Sequence, residues 1–276
     1  MKDGDETLFV PFNVPGHVDT FASNVATVFL KNTIAPSAAA EDLLNAAIAA
    51  YTADVRIPRK DAFDSWTRDI TLHLFARTEA DWEEMASVFA RLLSYLTGDH
   101  WTVYVRPAPD TYTPVVASRK PRERVTLNAE TVCLFSGGLD SFIGAIDLLA
   151  DGAPVVLVGH HASGGGATSR SQTDAINVVR RTFAEEQSPF LRLGIAPPKL
   201  KGRSSETTTR ARSIIFLALG VAVANGIGAT RLVVPENGFI SLNVPLRSSR
   251  LGSFSTRTTH PHLIALFRRM LTLLGL

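Results

Sequence analysis

One cysteine, Cys133, stands in 276 residues. A single thiol cannot close an internal disulfide or build a cysteine-cluster metal site, and inside an apolar stretch it reads as core packing. Long apolar runs are scarce too. The longest, IIFLALGVAVA from Ile214 to Ala224, falls short of the roughly 20 residues that span a bilayer. It reads as a buried helix, so no membrane partner is expected. The opening MKDGDET is polar and acidic with no apolar stretch behind it, so no secretory leader is visible. A cytoplasmic protein is the simplest reading. Internal repeats, the Gly-Lys-Ser/Thr of a Walker loop and a GxGxxG turn are all missing. So is any continuous Lys/Arg stripe, which argues against long nucleic acid as a partner.

Net charge is only +2, but it is unevenly spread. Residues 1–130 carry 13 Lys/Arg against 18 Asp/Glu, a net of −5, whereas residues 131–276 carry 15 against 8, a net of +7. The basic half is the one suited to a small polyanion such as a nucleotide.

The length favours two domains. Before residue 125, strands are expected at Thr7–Val14 and Val25–Lys31, with a Pro15-Gly16 turn between them. Helices are expected at Ala38–Asp54 and from Thr78 as N-cap to Gly98, and alternating strands at Asp69–Ala76 and Trp101–Pro107. A stretch rich in proline (Pro107, Pro109, Pro114, Pro121) then reads as a linker. After it the pattern changes to strand (Thr131–Phe135), helix, strand (Val155–His161), helix (Ser171–Glu186), a long buried helix (Ser205–Gly228) and strand (from Arg231). Continuous apolar strands between helices indicate a parallel sheet covered on both faces. The expected architecture is α/β: a doubly wound parallel sheet in 126–276, preceded by an N-terminal α+β domain in 1–125.

Where the first strand of the basic half should hand over to a helix, the chain reads VCLFSGGLDS, Val132 to Ser141. Ligands of doubly wound sheets sit beyond the carboxyl ends of the strands, where helix N-termini offer unpaired N–H groups and a positive dipole end. Gly137 and Gly138 allow positive φ and close approach of the backbone to an anion. Ser136 and Ser141 can each donate a hydroxyl hydrogen bond. Asp140, while ionised, needs Mg²⁺ or backbone N–H groups as partners. The bland alternative is a glycine turn with an N-capping side chain.

SGGLDS resembles the pyrophosphate-binding loop of the PP-loop ATP pyrophosphatases of the N-type family. TTRARSIIFLALGVAVANGIGATRLVVPENG and STRTTHPHLIALF further resemble segments of 7-cyano-7-deazaguanine synthase (QueC). With its large N-terminal extension, the chain is similar to the QueC-like proteins of bacterial anti-phage defence operons, such as QatC and the QueC-like component of type IV CBASS. The resemblance covers about half the chain. It implies a PP-loop fold, ATP and Mg²⁺ as cofactors, and cleavage of ATP between the α and β phosphates. The implied substrate is a 7-deazaguanine carboxylic acid, adenylated and passed to ammonia or to an amine of a partner protein from the defence operon. The implied phosphate contacts run from Phe135 through Ser136, Gly137, Gly138, Leu139 and Asp140 to Ser141. A zinc site of clustered cysteines, which QueC carries, is not expected here. The chain ends at LTLLGL inside an expected apolar helix, which reads as a domain continuing beyond 276.

Other candidates stand on position. Arg210 and Arg212 open the long apolar helix, where cations oppose the helix dipole; they either neutralise phosphate or form a solvated first turn. Arg212 stands closer to the family's arginine. His160 and His161 end a strand, as contacts to the bound nucleotide or as polar surface, and are followed by SGGG (Ser163–Gly166), itself a lid or a turn. Glu236, Asn237 and Gly238 end the next strand, as substrate contacts or as a tight turn. In TRTTHP, Thr259 reads as an N-cap with Pro261 in the first turn. Arg257, Thr258, Thr259 and His260 are candidates for phosphate or a nucleobase, and Arg257 with Asp140 and Arg212 for catalysis. Arg247 and Arg250 lie in a polar loop, near substrate or in solvent. A nucleotide-binding scaffold without catalysis is the competing class.

Overall fold

A computed structural model describes residues 22–78, 82–109, 125–162, 166–197, 204–242 and 257–276. The strand expected at Thr7–Val14, the Pro15-Gly16 turn, most of the linker, Ser163–Gly165, Arg247 and Arg250 lie outside these residues.

The first described strand, β1 (Ala22–Ser23), leads into α1 (Val25–Lys31). The sequence VATVFLK was expected as a strand; it is a helix. Val25 and Phe29, four apart, are both buried. Asn24 ties the helix start to β6 (Phe190–Ala196): its Oδ1 accepts from the Gly194 N–H at 2.6 Å and its Nδ2 donates to the Arg192 carbonyl. Packing at helical spacing and anchored ends override β propensity. The next helix, α2 (Ala38–Arg56), starts as expected, with the Ser37 hydroxyl accepting from the Ala40 N–H.

A βαβ unit follows: β2 (Asp69–Ala76), α3 (Trp82–Thr97) and β3 (His100–Pro107). The strands pair in parallel from Asp69↔His100 to Ala76↔Pro107. Burial along β2 alternates without a break, the mark of a sheet with one covered face. Gly98, at φ +79°, ends α3. The cap assigned to Thr78 falls beside residues outside the description; the Thr78 N–H and hydroxyl instead reach Asp42 Oδ2.

The remaining elements are β4 (Thr131–Leu134), α4 (Leu139–Ala150), β5 (Val155–His161), α5 (Ala167–Val179), β6, α6 (Arg212–Ile227), β7 (Arg231–Val233), α7 (Gly238–Ser241) and α8 (Pro261–Leu273). The sheet order is β1-β6-β5-β4-β7, with β4 to β7 mutually parallel and β1 antiparallel at the edge. Side chains alternate between two cores. Cys133, Phe135 and Leu157 pack with α4 and α5, while Val132, Leu134, Val156 and Val158 pack with α6 and α2. Both faces are therefore covered, which is why the strands read as unbroken apolar runs. Strand order reverses between β4 and β7, the position where such sheets open a crevice.

Three expected elements shift. The helix expected over Ser171–Glu186 begins earlier, at Ala167, and stops at Val179, where backbone turns from Arg180 to Ser188 take over. Strand β6 follows them and was not anticipated. The long helix begins at Arg212, not Ser205, because Glu206 captures the segment before it. Its carboxylate accepts from the N–H groups of Arg59, Thr207 and Thr208 and from the Thr208 hydroxyl. Against a partial-burial push upward, those bonds hold its pKa near 2. At the other end, α8 closes before Leu276: Gly275 takes φ +68° and the Leu276 N–H returns to the Leu271 carbonyl.

The two halves share one apolar core, with α2 packed on α6 and α3 on α8. A buried ionic cluster of the N-terminal half also reaches the start of α6. Arg68 bridges Asp54 and Asp99, both at 2.6 Å, and Arg59 grips Asp99 in a second bidentate pair. The other oxygen of Asp54 accepts the Ala211 N–H at 2.8 Å, at the very start of α6. Removing one partner strands buried charge. Arg68→Met is therefore expected to cost about 3–5 kcal/mol in urea unfolding. A loss under about 1 kcal/mol would show that the cluster is not what joins the halves.

Candidate functional site

The turn after β4 is built from inside. Gly137 has φ +83°, and a Cβ there would stand 2.6 Å from the Gln172 nitrogen and 2.8 Å from the Ser171 carbonyl carbon. Positive φ and the α5 backbone each demand glycine at this position. Gly138 is the N-cap of α4, and its N–H points to Ser136 Oγ at 3.3 Å. Ser141 is buried; its hydroxyl donates to the Gly138 carbonyl at 2.9 Å and meets Ser136 Oγ at 3.1 Å. It braces the turn and does not face outward, whereas Ser136 is exposed. Leu139 and Asp140 sit exposed on the first turn of α4. Phe135, counted among the phosphate contacts, belongs to the core: it is fully buried against Phe190, ring centroids 5.5 Å apart.

Ser136, Gly137 and Gly138 line a cavity of about 1150 Å³ beyond the carboxyl ends of β4 and β5. The structure brings His160, Arg210, Arg212, Glu236, Arg257 and Thr258 to the same cavity. Helices α4, α5 and α6 all begin there, since Ala167, Thr168 and Ser171 of α5 and Ser213 of α6 are also in its wall. Three positive dipole ends and three guanidinium groups converge, a strong attraction for a polyanion. Glu236 is the carboxylate among the lining residues. Burial and then the charge of Asp140 push its pKa up. Glu236 and Asp140 are thus close enough for the charge of one to act on the other. Among the described residues no group of three His, Cys, Asp or Glu is placed to hold a metal. Two carboxylates nonetheless match the protein's usual share of a Mg²⁺ shell completed by phosphate and water.

Two of the three arginines, Arg210 and Arg257, are held by the N-terminal half. Arg210 precedes α6, donating to the Thr97 carbonyl at 2.9 Å. Arg257 donates to the Tyr95 carbonyl at 2.7 Å. Both acceptors lie in the last turn of α3, its negative end, which suits cations. A Cβ on Gly98 would stand 3.5 and 3.6 Å from the two guanidinium groups. Arg212, the first residue of α6, reaches the His160 carbonyl at 3.4 Å.

The two histidines part, as neighbours on a strand must. His160 is 2% exposed, edge-on to Tyr51, with Nε2 3.4 Å from the Ile195 carbonyl. That contact makes Nε2 the donor and leaves Nδ1, which has no hydrogen-bond partner among the described residues, as an acceptor. Burial, then the charge of Arg212, lowers its pKa to about 3. His161 lies over Gly194 on β6 and is not among the lining residues.

Other expected contacts have local duties. Asn237 caps α7 through the N–H groups of Phe239 and Ile240, and Gly238 opens that helix; neither lines the cavity. Thr259 is not the cap of α8. His260 is, its Nδ1 accepting from the His262 N–H, with Pro261 in the first turn as expected. The Thr259 hydroxyl meets that of Ser241 at 2.8 Å. The lining residues Trp66, Leu96 and Gly98 come from the N-terminal half and are not among the site residues the sequence singled out. An aromatic residue in a polar loop, DSWTRD, was the available signal. Likewise SGGG before an Ala-Thr pair marked the start of α5.

No family model matches this chain, and comparison with curated proteins and with solved structures finds no match. Function is therefore argued from the site itself.

Gly137→Ala would push the turn off the α5 backbone and should weaken tripolyphosphate binding by roughly ten- to a hundredfold in calorimetric titration, the scale of one lost hydrogen bond to a charged group; unchanged affinity would mean the turn does not cradle the anion. Because the folded state keeps His160 neutral down to about pH 3 and the ordinary value is 6.5, unfolding takes up a proton below pH 6.5. Stability conferred at neutral pH is lost as pH falls from 6.5 towards 3. Between pH 7.5 and 5, wild type should lose about 2 kcal/mol more than His160→Gln in urea melts; parallel losses would contradict the burial assigned to this ring.

Proposed function

We propose that the chain is an ATP-dependent, adenylating enzyme of the PP-loop type that activates a carboxylate. By resemblance the acid is a 7-deazaguanine carboxylic acid, the acceptor is ammonia or an amine of a partner protein, and the setting is anti-phage defence. The observation that carries this reading is the Gly137-Gly138 turn at the end of β4, facing Arg210, Arg212 and Arg257 across one cavity. Such a site suits a polyphosphate that must be held while negative charge develops at one phosphorus.

The roles follow from position. Ser136 and the amides at the starts of α4 and α5 hold the leaving phosphates. Asp140 and Glu236 offer oxygen ligands to Mg²⁺, which when bound offsets the charge of those phosphates. Arg212 and Arg257 offset charge at the α position. ATP supplies an α-phosphorus open to attack: the acid's carboxylate forms the new P–O bond and pyrophosphate departs. The amine then forms a bond to the acyl carbon, AMP leaves, and the amine's surplus proton passes to solvent. His160, neutral, takes no part in proton transfer and holds Arg212 through its carbonyl. No helix among the described residues is long and apolar enough to cross a membrane, and most of the acting groups line one open cleft beyond the strand ends, which fits a small-molecule substrate.

The test is formation of AMP and pyrophosphate from ATP, Mg²⁺ and 7-carboxy-7-deazaguanine, with and without ammonium. Acid-dependent AMP is expected, reduced about a hundredfold or more in Arg212→Ala and Asp140→Ala, the scale of a lost transition-state contact. ATP binding with no AMP from any acid would replace the enzyme reading with that of a nucleotide-binding scaffold.

A further inference from the structure

We infer that the N-terminal half supplies a stacking platform for a purine-type bicyclic ring, with the indole of Trp66 as its face. The inference rests on the reading above that the cavity takes nucleotide-like ligands, and it adds which part of them the second half of the molecule recognises.

Trp66 lines the cavity, yet 55% of it is exposed. Its position is fixed from behind. The carbonyl of Trp66 accepts from Arg59 at 2.8 Å, and the N–H groups of Trp66 and Thr67 donate to Asp64 Oδ1 at 2.9 and 2.6 Å. One flank of the ring is occupied. Arg59 and Arg210 lie 5.6 and 5.0 Å from its centroid. Both guanidinium groups also donate to the same carbonyl, that of Thr97, at 3.0 and 2.9 Å. A shared acceptor holds them on one side, so the remaining face is left to the cavity. An exposed indole on an anchored backbone suits a planar base, which offers a π-face whatever its substituents.

The surroundings suit the same ligand. Leu96 and Phe216 add apolar wall. The volume, about 1150 Å³, is at the upper end of what single small ligands occupy, leaving room for a ring beyond the phosphates. Two ligands of the proposed reaction carry such a ring: the adenine nucleotide and the deazapurine acid.

Tryptophan fluorescence separates them. Trp101 is buried and Trp82 half-buried, so Trp66 is the indole most open to a ligand. The full chain is titrated with AMP, with 7-carboxy-7-deazaguanine and with tripolyphosphate, as wild type, Trp66→Phe and Trp66→Ala, with affinities from calorimetry. Quenching by AMP or by the acid that vanishes in Trp66→Phe is expected, and which of the two quenches names the ring that stacks. Trp66→Ala should weaken that ligand roughly five- to 150-fold, Trp66→Phe only about threefold, and tripolyphosphate should bind all three proteins about equally. Quenching that persists in Trp66→Phe overturns the platform, as does a wild type that binds neither ring. Equal weakening of tripolyphosphate in Trp66→Ala would reduce Trp66 to a support for Arg210. These readouts need no turnover: a protein that makes no AMP but shows Trp66-dependent quenching keeps the platform and loses the adenylation.

Discussion

Arg68, held between Asp54 and Asp99 with almost no exposure, is the contact on which the rest of this molecule depends. Alone it would join α2 to the turn after α3. Because Asp54 also accepts the first N–H before α6, it sets the register between the N-terminal half and the helix that carries Arg212. Arg59 extends the cluster to Trp66 and the α3 carbonyls. Two arginines and two aspartates are neutral together, which is how so much charge is tolerated without water. The geometry of the cavity is therefore set largely by ion pairs outside it.

The cavity itself is electrostatically unbalanced. Three helix N-termini and three guanidinium groups face a space with one lining carboxylate. What keeps the cations there without a ligand is the far end of another helix. The last carbonyls of α3 accept from Arg210 and Arg257, supplying the partial negative charge that the sheet half lacks. Gly98 ends that helix at φ +79°, and the two guanidinium groups pack close beside it. The acidic N-terminal half and basic C-terminal half thus meet where their charges are complementary.

Much of this was legible in advance, for identifiable reasons. The glycine turn was readable because φ restrictions and the strand-to-helix handover are local. The alternation along β2 and the apolar runs of β4 and β5 were readable because burial imposes a period on each strand. Other elements were not. VATVFLK has the composition of a strand, and only its contact with β6 makes it a helix. Glu206 delays α6 through a bond to Arg59, 147 positions away. Phe135 and Ser141 sit within the motif but face inward, because a turn of six residues needs some of its members to hold the others.

By itself the sequence determined the α/β class, the parallel sheet and the place of the glycine turn, since each follows from short-range periodicity and backbone sterics. The tertiary structure decided which cations reach that turn, that His160 is neutral while His161 lies elsewhere, and that Trp66, Leu96 and Gly98 belong to the same cavity. Those outcomes depend on desolvation and on contacts between residues more than a hundred positions apart. No local pattern encodes them, because the energy of a buried charge is set by whatever the fold brings beside it.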